Sequence, residues 1–291
     1  MKLVRFGDFG EERPGIWLEG PDGGQILDVR ASAFDIEDYN EHFFSHYGLE
    51  RLENLLREGK KRILPAAGVR LGPPLARPSK IICLGKNYAA HAREFDATIP
   101  SSPILFTKAT TAMVGPNDDI VLPGGAREVD GEVELAVVIG KKASGVTQDK
   151  AMEYVAGYTI VNDVTDRQAQ REGKQWFRGK SADTFCPMGP WLVTRDEVED
   201  PHNLKLKFAH NGRVLQEDNT ANMIFKIPFI ISFISATITL LPGDVIATGT
   251  PAGIGSLRNP PALFQPGDRV ELEIGGLGVQ KNKIITLRDS P

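Results

Sequence analysis

The stretch that decides the fold is Asp130-Gly131-Glu132-Val133-Glu134-Leu135-Ala136-Val137-Val138-Ile139-Gly140. After the acids the run is almost wholly apolar and β-branched. It ends at a turn signal, Gly140-Lys141-Lys142. That pattern predicts a largely buried strand. Strand side chains alternate between faces, so Glu132 and Glu134 point the same way. Two carboxylates side by side at the mouth of a buried strand repel each other. Either both face solvent at a sheet edge, or something positive compensates them.

A hard divalent cation is the simplest compensation. A third oxygen ligand is available downstream, because Tyr158-Thr159-Ile160-Val161-Asn162 is another short apolar strand and ends at Asp163. Three carboxylates and one divalent cation leave a local charge of about −1, which a single lysine balances. Lys180 is the candidate. Glu-x-Glu spacing alone does not choose between a metal site and an exposed edge.

The neighbouring segments carry more. Gly85-Lys86-Asn87-Tyr88-Ala89-Ala90-His91-Ala92-Arg93-Glu94 precedes the acidic pair. Lys180-Ser181 and Thr248-Gly249-Thr250-Pro251-Ala252-Gly253-Ile254-Gly255 follow it. In that order the segments resemble the fumarylacetoacetate hydrolase family, from about Pro78 to about Ile285. The resemblance implies a mixed α+β, β-rich fold whose catalytic domain is the family's β-roll. It implies Glu132, Glu134 and Asp163 as ligands of Mg²⁺ or Mn²⁺, and a homodimer. His91 and Glu94 match the family's water-activating pair, and Lys180 its catalytic lysine, which stabilises an oxyanion or a substrate carboxylate. Arg167 and Gln170 match positions near the substrate. Lys86, Tyr88 and Thr250 complete the expected substrate contacts, although several relatives carry Arg where this chain has Lys86. Taken alone, His-x-x-Glu reads first as a helix cap with a surface ion pair, and the rival readings of Lys180 and Thr250 are a solvated loop lysine and a turn residue.

Three carboxylates and water suit hard cations, and such a site lets a 2-oxo acid chelate through two oxygens. The first expectation is therefore hydrolysis of a C–C bond in an acylpyruvate-like 2,4-dioxo acid, through a stabilised enolate. The run Gln175–Phe185 looks closest to the branch that includes sugar-derived diketo-acid hydrolases. The alternatives at the same site are decarboxylation of oxaloacetate and isomerisation of a hydroxymuconate-type dienoate, such as 2-hydroxyhepta-2,4-diene-1,7-dioate. Both need the enolate but no attacking water. A non-catalytic metabolite-binding protein on the same fold is the third reading.

Composition bounds the rest. A length of 291 residues suggests a large domain with a small companion, and 41% hydrophobic content supports a sizeable core. Lys and Arg number 34 against 38 Asp and Glu, a net charge of −4 with no basic cluster, so no nucleic-acid partner is expected. No apolar run approaches the about 20 residues that span a membrane. Met1–Asp8 lacks the apolar core of a signal peptide, so a cytoplasmic protein is expected. The two cysteines, Cys83 and Cys186, form no zinc motif or disulfide framework.

Along the chain, residues 1–75 are expected to form a small N-terminal α/β domain and residues 76–291 the catalytic domain. Strands are predicted at Leu3–Phe6, Gly15–Leu18 and Gln25–Val29, with a turn at Gly20–Gly24. A helical region follows from Ile36 to Arg57, broken near Gly48. Leu71–Pro78 reads as an extended linker. A helical turn at Ala89–Phe95 puts His91 and Glu94 on one face. Ala97–Pro103 could form part of a mobile lid. Further helices are expected from Gln148 to Val155, behind an N-cap at Thr147, after Asp163, and at Ile227–Leu240. Arg171–Gly179 reads as irregular. Asn211-Gly212 signals a hairpin. Pro242-Gly243-Asp244 and Pro266-Gly267-Asp268 each introduce a strand and suggest corners of one folded sheet. The last strand is Val279–Leu287.

Overall fold

The computed structural model describes residues 1–21, 23–58, 61–94 and 99–286. The acidic stretch becomes the strand Val133–Ile139, buried at all seven positions. Both of its edges are paired. Val155–Asn162 runs antiparallel on one side, with Val133 opposite Asn162, and Val245–Ala247 runs antiparallel on the other, with Ala136 opposite Ala247. A strand with no free edge and two covered faces has no solvated position, which is why the run is apolar without interruption after Glu134.

This strand lies in a twelve-stranded mixed sheet. Val245–Ala247 continues it in parallel to Ile81–Gly85, which pairs with Ile104–Lys108. In the other direction Val155–Asn162 pairs with Cys186–Thr194. Lys2–Phe6 then adds to that strand, with Leu3 opposite Leu192. Residues 1–75 are thus joined by backbone hydrogen bonds to the same sheet. The expected linker contributes Leu71–Gly72, paired with Lys2–Phe6.

The two faces of Val133–Ile139 serve two cores. Leu135, Val137 and Ile139 pack into a cluster with Leu206, Phe208, Leu272 and Ile284. Those partners belong to a separate five-stranded sheet built from Ile120–Leu122, Lys205–His210, Arg213–Asn219, Arg269–Ile274 and Gly278–Thr286. Ala136 and Val138 pack instead with Phe43, Phe44, Leu52 and Leu55 of the N-terminal helices Glu41–Ser45 and Gly48–Arg57. By the same alternation Glu132 and Glu134 belong to this second face, at the end where the helices no longer cover it. The molecule is β-rich with few helices, a mixed α+β fold.

Several expectations are corrected by competing pairings. The helix predicted over 148–155 reduces to one tight turn, Ala151–Tyr154, because Val155 is drawn into the sheet opposite Ile139 and Gly140 N–H bonds the Tyr154 carbonyl at 2.7 Å. The helix predicted to Leu240 ends at Ser235, where a two-way backbone bridge between Leu240 and Ala143 pulls the chain away. Arg171–Gly179 is partly helical, covered by Arg167–Glu172 and Phe177–Lys180. The two Pro-Gly-Asp turns open strands in different sheets, Val245–Ala247 in the large one and Arg269–Ile274 in the small one. The Asn211-Gly212 hairpin forms, with φ of 49° and 78° at its two central residues. Parts of four expectations lie outside the described residues: Asp22 in the first turn, Phe95 at the end of the His91 helix, Ala97 and Thr98 in the lid segment, and Leu287 in the last strand.

Gln280, buried on Gly278–Thr286, ties the two sheets. Its amide donates to the carbonyls of Ile160 at 2.8 Å, Gly189 at 3.0 Å and Pro187 at 3.3 Å. Gln280→Leu leaves those carbonyls short of a donor and should lower the unfolding free energy by ~1–3 kcal/mol. Urea unfolding at unchanged m-value measures this; a loss below ~0.5 kcal/mol would show that the bridge adds nothing.

Candidate active site

The strand register assembles the acids. Because Val133 lies opposite Asn162, the residues that flank these two strands, Glu132 and Asp163, come together, and Asp163 N–H bonds the Glu132 carbonyl at 2.9 Å. Glu132, Glu134 and Asp163 are all buried, and one carboxylate oxygen of each lies within 4.8 Å of the others. Arg167 Nη2 donates to Glu132 Oε1 at 2.6 Å, and its Nε to Asp130 Oδ1 at 2.7 Å. Lys180 Nζ donates to Glu132 Oε2 at 2.9 Å and to Asp163 Oδ2 at 2.6 Å. Lys108 Nζ, fully buried, takes Asp163 Oδ1 at 2.6 Å.

These partners divide the acids electrostatically. Burial opposes ionisation of Glu132, but the charges of Lys180 and Arg167 outweigh it and hold this carboxyl well below the usual range. Glu134 goes the other way. Burial, then the charges of Asp163 and Glu132, push it well above the usual carboxylate range, against Lys180 and the Gly249 N–H that it accepts at 2.9 Å. Lys180 is desolvated, yet Asp163 and Glu132 raise its pKa and keep it an ammonium. The buried carboxylates here are Asp130, Glu132, Glu134 and Asp163, against the buried cations Lys108, Arg167 and Lys180. The uncompensated charge falls on Glu134. An all-oxygen donor set that, once Glu134 ionises, has one carboxylate more than its cations fits a hard divalent cation, held by Glu132, Glu134 and Asp163.

The second component is set by two loops. Asn87 fastens the first: its side-chain amide donates to the carbonyls of Thr248 at 2.8 Å and Phe225 at 3.1 Å, and its oxygen accepts Phe225 N–H at 2.7 Å. This loop leads into the helix Ala89–Glu94, where His91 Nδ1 lies 3.2 Å from Glu94 Oε2. The second loop holds Glu94 from behind, Gly253 N–H donating to Glu94 Oε1 at 2.8 Å. Gly253 has φ of +107°, and a Cβ there would lie 2.1 Å from the Leu215 carbonyl oxygen, so only glycine fits.

A cavity of about 320 Å³ collects these groups. Lys86, His91, Glu132, Glu134, Arg167, Gln170, Lys180 and Thr250 all line it. Glu94 stands behind His91, and Asp163 behind Lys180, neither in the lining. Tyr88 does not line it either; its ring is fully buried in the main core, and its backbone bridges to Met223. The Thr250 hydroxyl, expected to meet a substrate carboxylate, donates to Val133 O at 3.0 Å and accepts from Gln216 Nε2 at 2.8 Å. Leu84, Phe106 and Trp176 form an apolar wall, the two rings meeting edge to face at 5.3 Å. Sequence reasoning missed Lys108, Asp130, Arg171 and this wall. Lys108 ends an ordinary strand, and only a full count of buried charge would have exposed it.

The family model described as fumarylacetoacetate (FAA) hydrolase C-terminal matches residues 80–285. The mitochondrial oxaloacetate tautomerase Fahd2a of Rattus norvegicus is 42% identical over 292 residues, spanning 98% of this chain and 92% of that protein. Among solved structures, 5-carboxymethyl-2-hydroxymuconate delta-isomerase from Mycobacterium smegmatis superposes with a TM-score of 0.78 at 36% identity, covering 98% of this chain and 99% of that one. Maleylpyruvate hydrolase from Sphingobium sp. SYK-6, in complex with manganese(II) ion and pyruvate, gives 0.79 at 33% identity, covering 98% and 99%. These relatives are enzymes of small organic acids. The chain belongs to the fumarylacetoacetate hydrolase family.

Cation binding here requires Glu134 to give up its proton. Because burial and the neighbouring acids raise its pKa, affinity for Mg²⁺ or Mn²⁺ should increase as pH climbs above the usual carboxylate range. Scanning fluorimetry should show a cation-dependent rise in Tm that grows with that climb and is lost in Glu134→Gln. An equal rise in the variant would remove Glu134 from the site.

Proposed function

We propose that this chain catalyses keto–enol tautomerisation of a 2-oxo acid of the oxaloacetate type, with a divalent cation held by Glu132, Glu134 and Asp163. The observation that carries the reading is that His91 lines a cavity whose neighbouring cations, Arg167 and Lys180, are committed to buried carboxylates. Arg167 and Lys180 are held as cations by buried carboxylates, so neither can accept a proton. His91 lines the same cavity and carries an imidazole, the side chain that most often serves as a general base. The near full-length likeness to an oxaloacetate tautomerase supports the same chemistry. So does the likeness to a hydroxymuconate isomerase, since that name also describes a proton moved between positions.

Each residue then has a defined task. His91 removes a proton from the carbon next to the 2-oxo group and returns one to the developing enol. Glu94, fixed by Gly253, orients the imidazole through Nδ1. The Lys180 ammonium offers a fixed positive charge to the enolate oxygen, which costs no reorganisation during the reaction. A bound divalent cation would add Lewis-acid polarisation of the 2-oxo group. The apolar wall limits access of water to the enolate.

Hydrolysis of a C–C bond, the first expectation from sequence, is the second reading. The likeness to a maleylpyruvate hydrolase favours it. There His91 would take its proton from water and not from carbon. The two readings separate by product. In the proposed reaction the enol absorbance of oxaloacetate decays faster with the protein, and pyruvate is not released. His91→Gln should slow that decay by ~10²–10⁴-fold. Pyruvate release from an acylpyruvate, with no acceleration of the keto–enol exchange, would replace tautomerase by hydrolase.

A further inference from the structure

The cations at the cavity are not equivalent. Arg167 is committed to Asp130 and Glu132, and Lys180 to Glu132 and Asp163, all buried. Arg171 is different. It follows Gln170 on the helix Arg167–Glu172 and lines the same cavity, but its Nη2 meets Glu128 Oε2, at 2.6 Å, at the surface. The two side chains of that pair are 61% and 39% exposed. Solvent screens such a pair, so redirecting Arg171 costs little. A guanidinium has five N–H donors in a planar fork, and one bond to Glu128 leaves donors for a second carboxylate.

The cavity therefore has a charge pattern along its depth. The carboxylates and their committed cations form the floor, Phe106 and Trp176 the wall, and Arg171, paired only with exposed Glu128, a positive charge toward solvent, with Lys86 a further lysine in the lining. A monocarboxylic 2-oxo acid satisfies only the floor. We propose that Arg171 is a specificity-determining residue that receives the distal carboxylate of a dicarboxylic 2-oxo acid whose 2-oxo end lies at the floor. This rests on the reading of the cavity as a 2-oxo acid site and names the substrate class that it prefers.

The test is calorimetric titration of the Mn²⁺-loaded protein with two stable ligands of equal chain length, 2-oxoglutarate and 2-oxopentanoate. They differ in the distal carboxylate. Wild type should bind the diacid more tightly. Arg171→Met should weaken 2-oxoglutarate about 10-fold or more, the loss of a charge-assisted bidentate contact, and leave 2-oxopentanoate within about 2-fold. Arg171→Lys should recover part of the diacid preference, since it keeps charge but not the fork. Equal weakening of both ligands in Arg171→Met, or no weakening of either, would overturn the assignment while leaving the 2-oxo acid site intact. Failure of wild type to bind either ligand would overturn that site and the assignment with it.

Discussion

Burying ionised carboxylates in a sheet interior is the constraint on which this site depends. An isolated carboxylate there would neutralise itself, so each acid needs a partner or a raised pKa. The strand register forces Glu132 and Asp163 together whatever their charge, because Val133 and Asn162 are locked opposite each other. Lys180 bridges them, Lys108 takes the remaining oxygen of Asp163, and Arg167 links Glu132 to Asp130. Removing one member of such a network strands a buried charge, typically a loss of ~3–5 kcal/mol. The cluster is thus one unit, and its composition is far more constrained than that of the cavity around it.

The loops obey the same unit. Gly249 N–H donates to Glu134 and Gly253 N–H to Glu94, four residues apart on one turn. Asn87 anchors the opposite loop to Thr248, the residue before Gly249. A shift of either loop therefore moves the histidine dyad and the acid cluster together. This coupling gives Gly-x-Asn and Thr-Gly-Thr-Pro a physical reason to occur in one chain although about 160 residues separate Asn87 and Thr248.

Much of this was legible in the sequence, for identifiable reasons. Alternation put Glu132 and Glu134 on one face, and the His91–Glu94 spacing put both on one side of a helix; neither inference needed tertiary information. Asn211-Gly212 declared its turn by backbone preference alone. The failures share a cause too. The segment 148–155 and the tail of the helix at Ile227 carry adequate local helical signals, but sheet pairing at Val155 and the Ala143–Leu240 bridge override them. Lys108 was invisible because a lysine closing a strand looks like any solvated strand end. Its burial follows only from where Asp163 sits, 55 positions later.

The same division explains how one architecture serves a tautomerase, an isomerase and a hydrolase among the relatives. On the proposed reading, a floor of fixed carboxylates with committed cations meets charge that develops on the oxygen of a 2-oxo acid. Because the floor is locked by its own charge balance, it tolerates little change. What can vary without destabilising the interior is the part held by weak, solvent-screened contacts. In this chain that part is the helix surface carrying Arg171 with its exposed partner Glu128, and the Phe106–Trp176 wall beside it. Side chains are therefore free to change where the stability cost is small, and the buried charges stay where the cost of altering them is large.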